Sequence, residues 1–155
     1  MIHPPTKEIA EIRAVLIKLL KDHIGPLKVT IDTPDNFQVT GTIPAMQGRQ
    51  KVDGFYFSNI VPKPKDVRFY FFPAYTHPDH FTELSQDLQK ARKGKSCFHI
   101  KYLTPEYEEE IRRVIALGIK LYQEDGLISA WEIRASRSIF EHYVSHTLEK
   151  QTHLL

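Results

Sequence analysis

Cysteine is nearly missing. Cys97 is the single one in 155 residues, so no disulfide can form within the chain, and such usage fits a reducing compartment. Long apolar runs are missing as well: no stretch approaches the roughly 20 apolar residues that cross a bilayer. The opening residues, Met1-Ile2-His3-Pro4-Pro5, lack the basic-then-apolar pattern of a secretion signal. The expectation is a soluble, cytoplasmic protein. Neither sign of charge dominates. Lysine and arginine total 21 against 19 acidic residues, a net charge of +2, which gives no general attraction to nucleic acid and makes such a partner unlooked-for. There is no glycine-rich nucleotide loop, no Gly-x-Ser-x-Gly elbow and no paired-cysteine zinc motif. No stretch carries a specific catalytic signature.

What remains is an ordinary globular composition, 41% hydrophobic and 26% charged. The length suits one domain and a core without staples. The most informative stretch is Val67-Arg68-Phe69-Tyr70-Phe71-Phe72. A strand points alternate side chains to opposite faces. Val67, Phe69 and Phe71 therefore make one apolar face, and Arg68, Tyr70 and Phe72 the other. The rest of the chain is expected to pack on this strand or pair beside it.

Before it, Ile9, Ile12, Leu16 and Leu19 recur at helical spacing, with Thr6 as an N-cap and Gly25-Pro26 as the stop. That predicts a helix over residues 6–24. Leu27, Val29 and Ile31 alternate with polar residues, and Thr33-Pro34-Asp35-Asn36 turns the chain into a second strand through Phe37 and Val39. Residues 44–48 read as a loop, and 52–61 as a third strand. Gly54 inside it marks a bulge or a close backbone approach. Prolines at 62 and 64 make residues 62–66 a connection.

After the central strand, Phe81, Leu84, Leu88 and Ala91 share one helical face, and Gly94 ends the run. A helix is predicted over 79–93. Phe98, Ile100 and Tyr102 point inward from a fifth strand, with Cys97, His99 and Lys101 on the opposite parity. Thr104-Pro105 opens a third helix whose stripe runs from Ile111 to Tyr122. Gly118 lies in that stripe, which points to close packing on another element. Residues 128–150 read as a fourth helix with two apolar rows, one through Trp131 and Ile139, the other through Phe140 and Val144. Two rows call for cover, on this domain's second sheet face or in a homodimer through this helix.

The fold class expected is α+β: an antiparallel sheet of about five strands with helices packed on it. The order is α-β-β-β-β-α-β-α plus a C-terminal helix, divided into a domain over 1–126 and an extension over 127–155. Four segments, Gly54-Phe55-Tyr56, Arg68-Phe69-Tyr70-Phe71-Phe72-Pro73, Lys93-Gly94-Lys95 and Phe98-His99-Ile100, give the chain a likeness to a known group. Over about residues 8–126 it resembles the YdhG-like family of small bacterial domains of unknown function, whose members share an aromatic strand, a short helix, a Gly-Lys turn, a hydrophobic strand and a final amphipathic helix. The resemblance implies a frataxin-like fold and a role in binding iron or another divalent metal. The C-terminal helix is outside that pattern.

Several constellations could carry chemistry. Arg68, Tyr70, His99 and Lys101 share outward parity. If their strands are neighbours they form a cationic, aromatic-floored patch suited to an anion or small ligand, as a binding pocket or an enzyme's. His77, Asp79 and His80 could ligate a divalent metal, or could simply be polar groups at a helix start. His142 and His146, with Glu149, lie on one helical face and offer half a metal site, or a solvated stripe. Glutamates at 106 and 108–110 could attract a hard cation, or could complement the helix dipole. Lys90, Arg92, Lys93, Lys95 and Lys101 make a basic patch of the kind that meets phosphate, or the usual cations of a helix C-terminus. Cys97 beside His99 is either an activatable thiol or a small buried hydrophobe.

Overall fold

The computed structural model describes residues 4–129. Helix α1 (Ile9–Lys21) leads into strands β1 (Leu27–Thr33), β2 (Asn36–Gly41), β3 (Ala45–Gln47), β4 (Gln50–Val52), β5 (Tyr56–Pro62) and β6 (Val67–Phe71). A single-turn helix α2 (Pro73–Thr76), a 3-10 turn (Pro78–His80), helix α3 (Gln86–Ala91), strand β7 (Cys97–Ile100) and helix α4 (Pro105–Glu124) follow. The fold is α+β. Five strands form one antiparallel sheet in the order β1-β2-β5-β6-β7, and β3 pairs with β4 in a separate hairpin.

The central strand is β6. Val67, Phe69 and Phe71 are fully or almost fully buried, while Arg68 and Tyr70 are half-buried. Their neighbours continue the division. Ile60 and Phe98 flank Phe69, and Ile100 flanks Val67. The apolar face receives Ile12, Leu16, Leu19 and Leu20 of α1, and Ile111, Val114, Ile115 and Tyr122 of α4. Truncating one of the core rings here would cost about 3–5 kcal/mol. At Gly118 α4 packs close against the sheet. A Cβ there would lie 2.6 Å from the Phe71 ring and 2.9 Å from Cγ of Pro73. Tyr122 stands edge-on to Phe55 and Phe57, and its hydroxyl donates to the Tyr56 carbonyl at 2.9 Å. Both long helices thus cover the same face, which leaves the other face to polar and aromatic side chains.

Several local expectations are corrected. Thr6 does not cap α1. Glu8 is the N-cap and makes no side-chain cap bond. Thr6 is instead committed to an antiparallel bridge, its backbone exchanging two hydrogen bonds with Leu103, at 2.7 and 2.8 Å. In β1 the alternation breaks. A register shift between Val29 and Ile31 puts Val29 opposite Val39, on the inner side, but Ile31 opposite Gln38, on the outer side. Residues 44–48 are not a plain loop and β5 does not begin at 52. The β3–β4 hairpin turns at Gly48, whose φ of +63° suits glycine. Gly54 follows, and a Cβ there would sit 1.9 Å from the Gly41 carbonyl oxygen, the close backbone approach expected of it.

The second predicted helix is also shorter than expected. It begins at Gln86, capped by Ser85 Oγ on Leu88 N at 3.2 Å. Phe81 and Leu84 lie outside it, although Phe81 still reaches the core edge-on to Phe71. The fifth strand of the sheet stops at Ile100. Tyr102, beyond the strand, is half-buried at the edge of the core against Tyr107, and its hydroxyl donates to Asp87. The third helix starts as expected, with Thr104 Oγ1 accepting from Tyr107 N at 3.1 Å. The fourth predicted helix lies outside the described residues from Ala130 onward, and Trp131, His142, His146 and Glu149 with it. Ile128, just before, is buried.

Candidate functional site

The outward face of β6 and β7 brings three of the four predicted ligand-binding residues together. Arg68 is directly opposite His99 in the ladder, and Tyr70 is opposite Cys97. Lys101, one residue beyond β7, is exposed at the same end. The strands had to be neighbours for this, and they are.

Asp66 was not foreseen. Its carboxylate is 8% exposed and accepts from Arg68 Nε at 2.8 Å. It also shapes the loop before β6, because its carbonyl accepts from Lys63 N at 2.8 Å. Asp66, Arg68 and Tyr70 share one parity, and an acid two residues before an arginine was the available clue. Asp66 takes only the Nε edge of the guanidinium. The guanidinium lies beside Tyr70 and Cys97 on the same face. His99 Nδ1 is 3.7 Å from the other Asp66 oxygen, too far for a hydrogen bond.

The protonation states follow from this packing. The hydrogen bond to Asp66 raises the Arg68 pKa further. Desolvation, then the neighbouring Arg68, lower the His99 pKa below its ordinary 6.5, so the ring is neutral at pH 7. Burial pushes the Cys97 thiol up, although Tyr70 and Arg68 pull the other way. Burial and Cys97 raise the Tyr70 phenol. The thiol is therefore kept protonated, which is the wrong state for a nucleophile. Further across the same face, Tyr56 donates to Asn59, whose amide donates to Asn36 at 3.1 Å. Those groups satisfy one another.

Two shallow clefts flank Lys101. One, of about 370 Å³, is lined by Lys63, Lys65, Asp66, Arg68 and Lys101. The other, of about 210 Å³, lies between α3 and β7 and is lined by Lys90, Lys93, His99, Lys101 and the Tyr102–Asp87 pair. None of these five lysines forms an ion pair among the described residues. The predicted basic patch therefore divides. Arg92 donates to the carbonyls of Ala74, Gly94 and Lys95 and lies over the Phe98 ring, so it is structural. Lys95 lies over Tyr75. Lys90, Lys93 and Lys101 face the cleft.

The metal candidates are not gathered. His77 Nε2 is 2.6 Å from Asp125 and its Nδ1 is 2.7 Å from Thr76 Oγ1, so both ring nitrogens are engaged away from Asp79. His77 and His80 have ring centres 6.3 Å apart. Among the described residues, no group of three or more His, Cys, Asp or Glu side chains is arranged to hold a metal ion. His142 and His146 are outside the described residues. Most of the glutamates at the start of α4 are also committed. Glu108 and Glu109 meet Arg112 at 3.8 and 3.3 Å, and Glu110 accepts from Ser85 N and Oγ at 2.8 and 2.5 Å.

No family model, curated protein or solved structure matches the chain. No helix among the described residues is long and apolar enough to cross a membrane.

Proposed function

We propose that this chain is a binding protein whose ligand presents an anionic group to the basic end of the outward sheet face. The observation that carries the reading is Lys101 standing between two clefts, with Lys63, Lys65 and Arg68 on one side and Lys90 and Lys93 on the other. Arg68, tied through Nε to a buried carboxylate, is preorganised to offer its remaining N–H groups as a fork to a carboxylate, phosphate or sulfate. The protonated thiol and neutral imidazole beside it supply neither a nucleophile nor a strong base, which favours binding over catalysis. The order of helix, antiparallel meander and helix over one face supports the YdhG-like, frataxin-like reading. The uncommitted lysines favour an anion over the iron that this resemblance implies.

Calorimetric titration with sulfate at constant ionic strength tests the proposal. Saturable binding is expected, weakened about tenfold or more by Arg68→Gln and by Lys101→Glu, in line with the loss of one charge-assisted contact. Lys28→Glu, on β1 at the far side of the sheet, should change little. Absence of saturation with sulfate, phosphate and pyrophosphate at millimolar concentrations would exclude the anion reading.

A further inference from the structure

The balanced total of charge conceals its distribution. Residues 62–72 and 90–101 carry eight of the 21 basic side chains but only one of the 19 acidic ones. That acid, Asp66, is already bonded to Arg68. The two segments hold β6, β7 and the loops beside them, and the remainder of the chain is net acidic. Asp87, the acid that lines the second cleft, accepts from Tyr102. A band of one sign attracts a polyanion even where the whole molecule is close to neutral.

The band ends in aromatic side chains. Arg68 and Tyr70 point outward on β6, and Phe72 follows, its N–H still donating to the Phe57 carbonyl at 2.9 Å. Phe72 stacks on Tyr75, with ring centres 5.2 Å apart, and meets Tyr56 at 5.2 Å. Tyr75 is 51% exposed, and Phe72 backs its ring. Lys95 Nζ lies 5.6 Å from the Tyr75 ring centre, so a cation stands at the aromatic end too. From Arg68 to Phe72 is about 13 Å at the rise of a strand.

A lone sulfate or phosphate occupies one cleft and uses neither the other cleft nor the rings. An acidic peptide answers the lysines but leaves the exposed ring without a planar partner. A single strand of nucleic acid supplies both chemistries. It carries a phosphate at every nucleotide for spaced cations, and flat bases that stack on aromatic side chains. A duplex keeps those base faces stacked on one another.

We propose that the outward face binds single-stranded nucleic acid, its phosphates held by Arg68 and the lysines around Lys101 and one base stacked on Tyr75 beside Lys95. The inference rests on the anion reading above and adds the class of ligand to it. Stacking on a ring reads no particular base, so the binding is tolerant of sequence.

Anisotropy of a fluorescein-labelled oligothymidylate of about ten nucleotides, titrated with the full chain, tests it. Saturable binding is expected, with the logarithm of affinity falling linearly with that of salt concentration. Lys101→Glu should weaken it and flatten that slope. Tyr75→Ala removes an exposed ring without opening the core. It should weaken the oligothymidylate about tenfold and leave both the salt slope and sulfate binding unchanged. An abasic strand of the same length should bind more weakly and ignore Tyr75→Ala. Oligouridylate, run alongside, separates RNA from DNA as the source, and a preference for either supports the proposal. Saturable sulfate binding without binding of either strand would overturn this inference and leave the anion reading standing. Failure of sulfate and of both strands would overturn the two together. Equal affinity for abasic and base-bearing strands, or an oligothymidylate affinity that ignores Tyr75→Ala, would reduce the contact to charge alone, against the proposal. Tighter binding of a duplex of the same length would also overturn it.

Discussion

Gly118 and His99 show how much a single position decides. At Gly118 two effects oppose each other when a methyl group is added. Alanine improves helix propensity by about 1 kcal/mol, but its Cβ would collide with the Phe71 ring and Pro73. Overpacking of a close-packed core costs about 1–3 kcal/mol, and here the neighbours are a buried ring and a ring-closed residue with little freedom to yield. Gly118→Ala should therefore lower the melting temperature; an unchanged or raised value would mean that α4 can lift off the sheet without loss. At His99 the sign runs the other way from a salt-bridged histidine. Desolvation and Arg68 lower its pKa in the folded state, and burial does the same at His23. The unfolded chain then takes up protons first, so the contribution to stability is full above about pH 6.5 and is lost as the pH falls below it. Denaturant midpoints recorded from about pH 7.5 down to about pH 5 should decline, and His99→Gln should flatten part of that decline. An anion in the adjoining cleft favours the imidazolium. Sulfate, whose charge is constant over that range, should accordingly bind more tightly to the unaltered protein as the solution is acidified, and His99→Gln should remove this gain.

Among the elements, α4 has the clearest boundary. Its cap is a threonine side chain on the Tyr107 N–H, reinforced by a proline at the first turn. Thr104→Ala should cost about 1 kcal/mol, readable as a shifted denaturation midpoint with an unchanged slope. Elements of this kind were legible in the sequence because one local pattern decided them: the apolar stripes of α1 and α4, and the strict parity of β6. The elements that were misread are those where a tertiary contact overrides the pattern. The residue inserted in β1 turns Ile31 to the other face, and no composition cue marks a bulge at a threonine. Residues 45–52 carry few of the β-branched and aromatic residues that announce strands, so the hairpin showed only its turn glycine. Phe81 and Leu84 have helical spacing with Leu88, yet Phe81 reaches the core from a loop. The candidate site was legible as far as parity reached. Arg68, Tyr70 and His99 could be grouped once β6 and β7 were assumed adjacent. Asp66 was hidden in a connection, and the partner of His77 proved to be Asp125, at a sequence distance of 48 that no motif encodes.

At the scale of the molecule, both long helices lie on one face, and the outward face is basic at one end and aromatic at the other. An anion that binds the native face but not the unfolded chain must raise the melting temperature, and the rise continues logarithmically with concentration above Kd. Added sulfate should do so in the native protein and not in the Lys101→Glu variant, provided ionic strength is matched by chloride. The bulge in β1 has a separate consequence. Beyond β7, Lys93 N already donates to the Cys97 carbonyl and Arg92 bridges Phe98, so that border is occupied. The border at β1 is kinked by the extra residue and bears Lys28 and Asp32. A foreign strand would meet broken hydrogen-bond spacing and charge there, and the domain is protected against the border-to-border stacking by which open sheets polymerise.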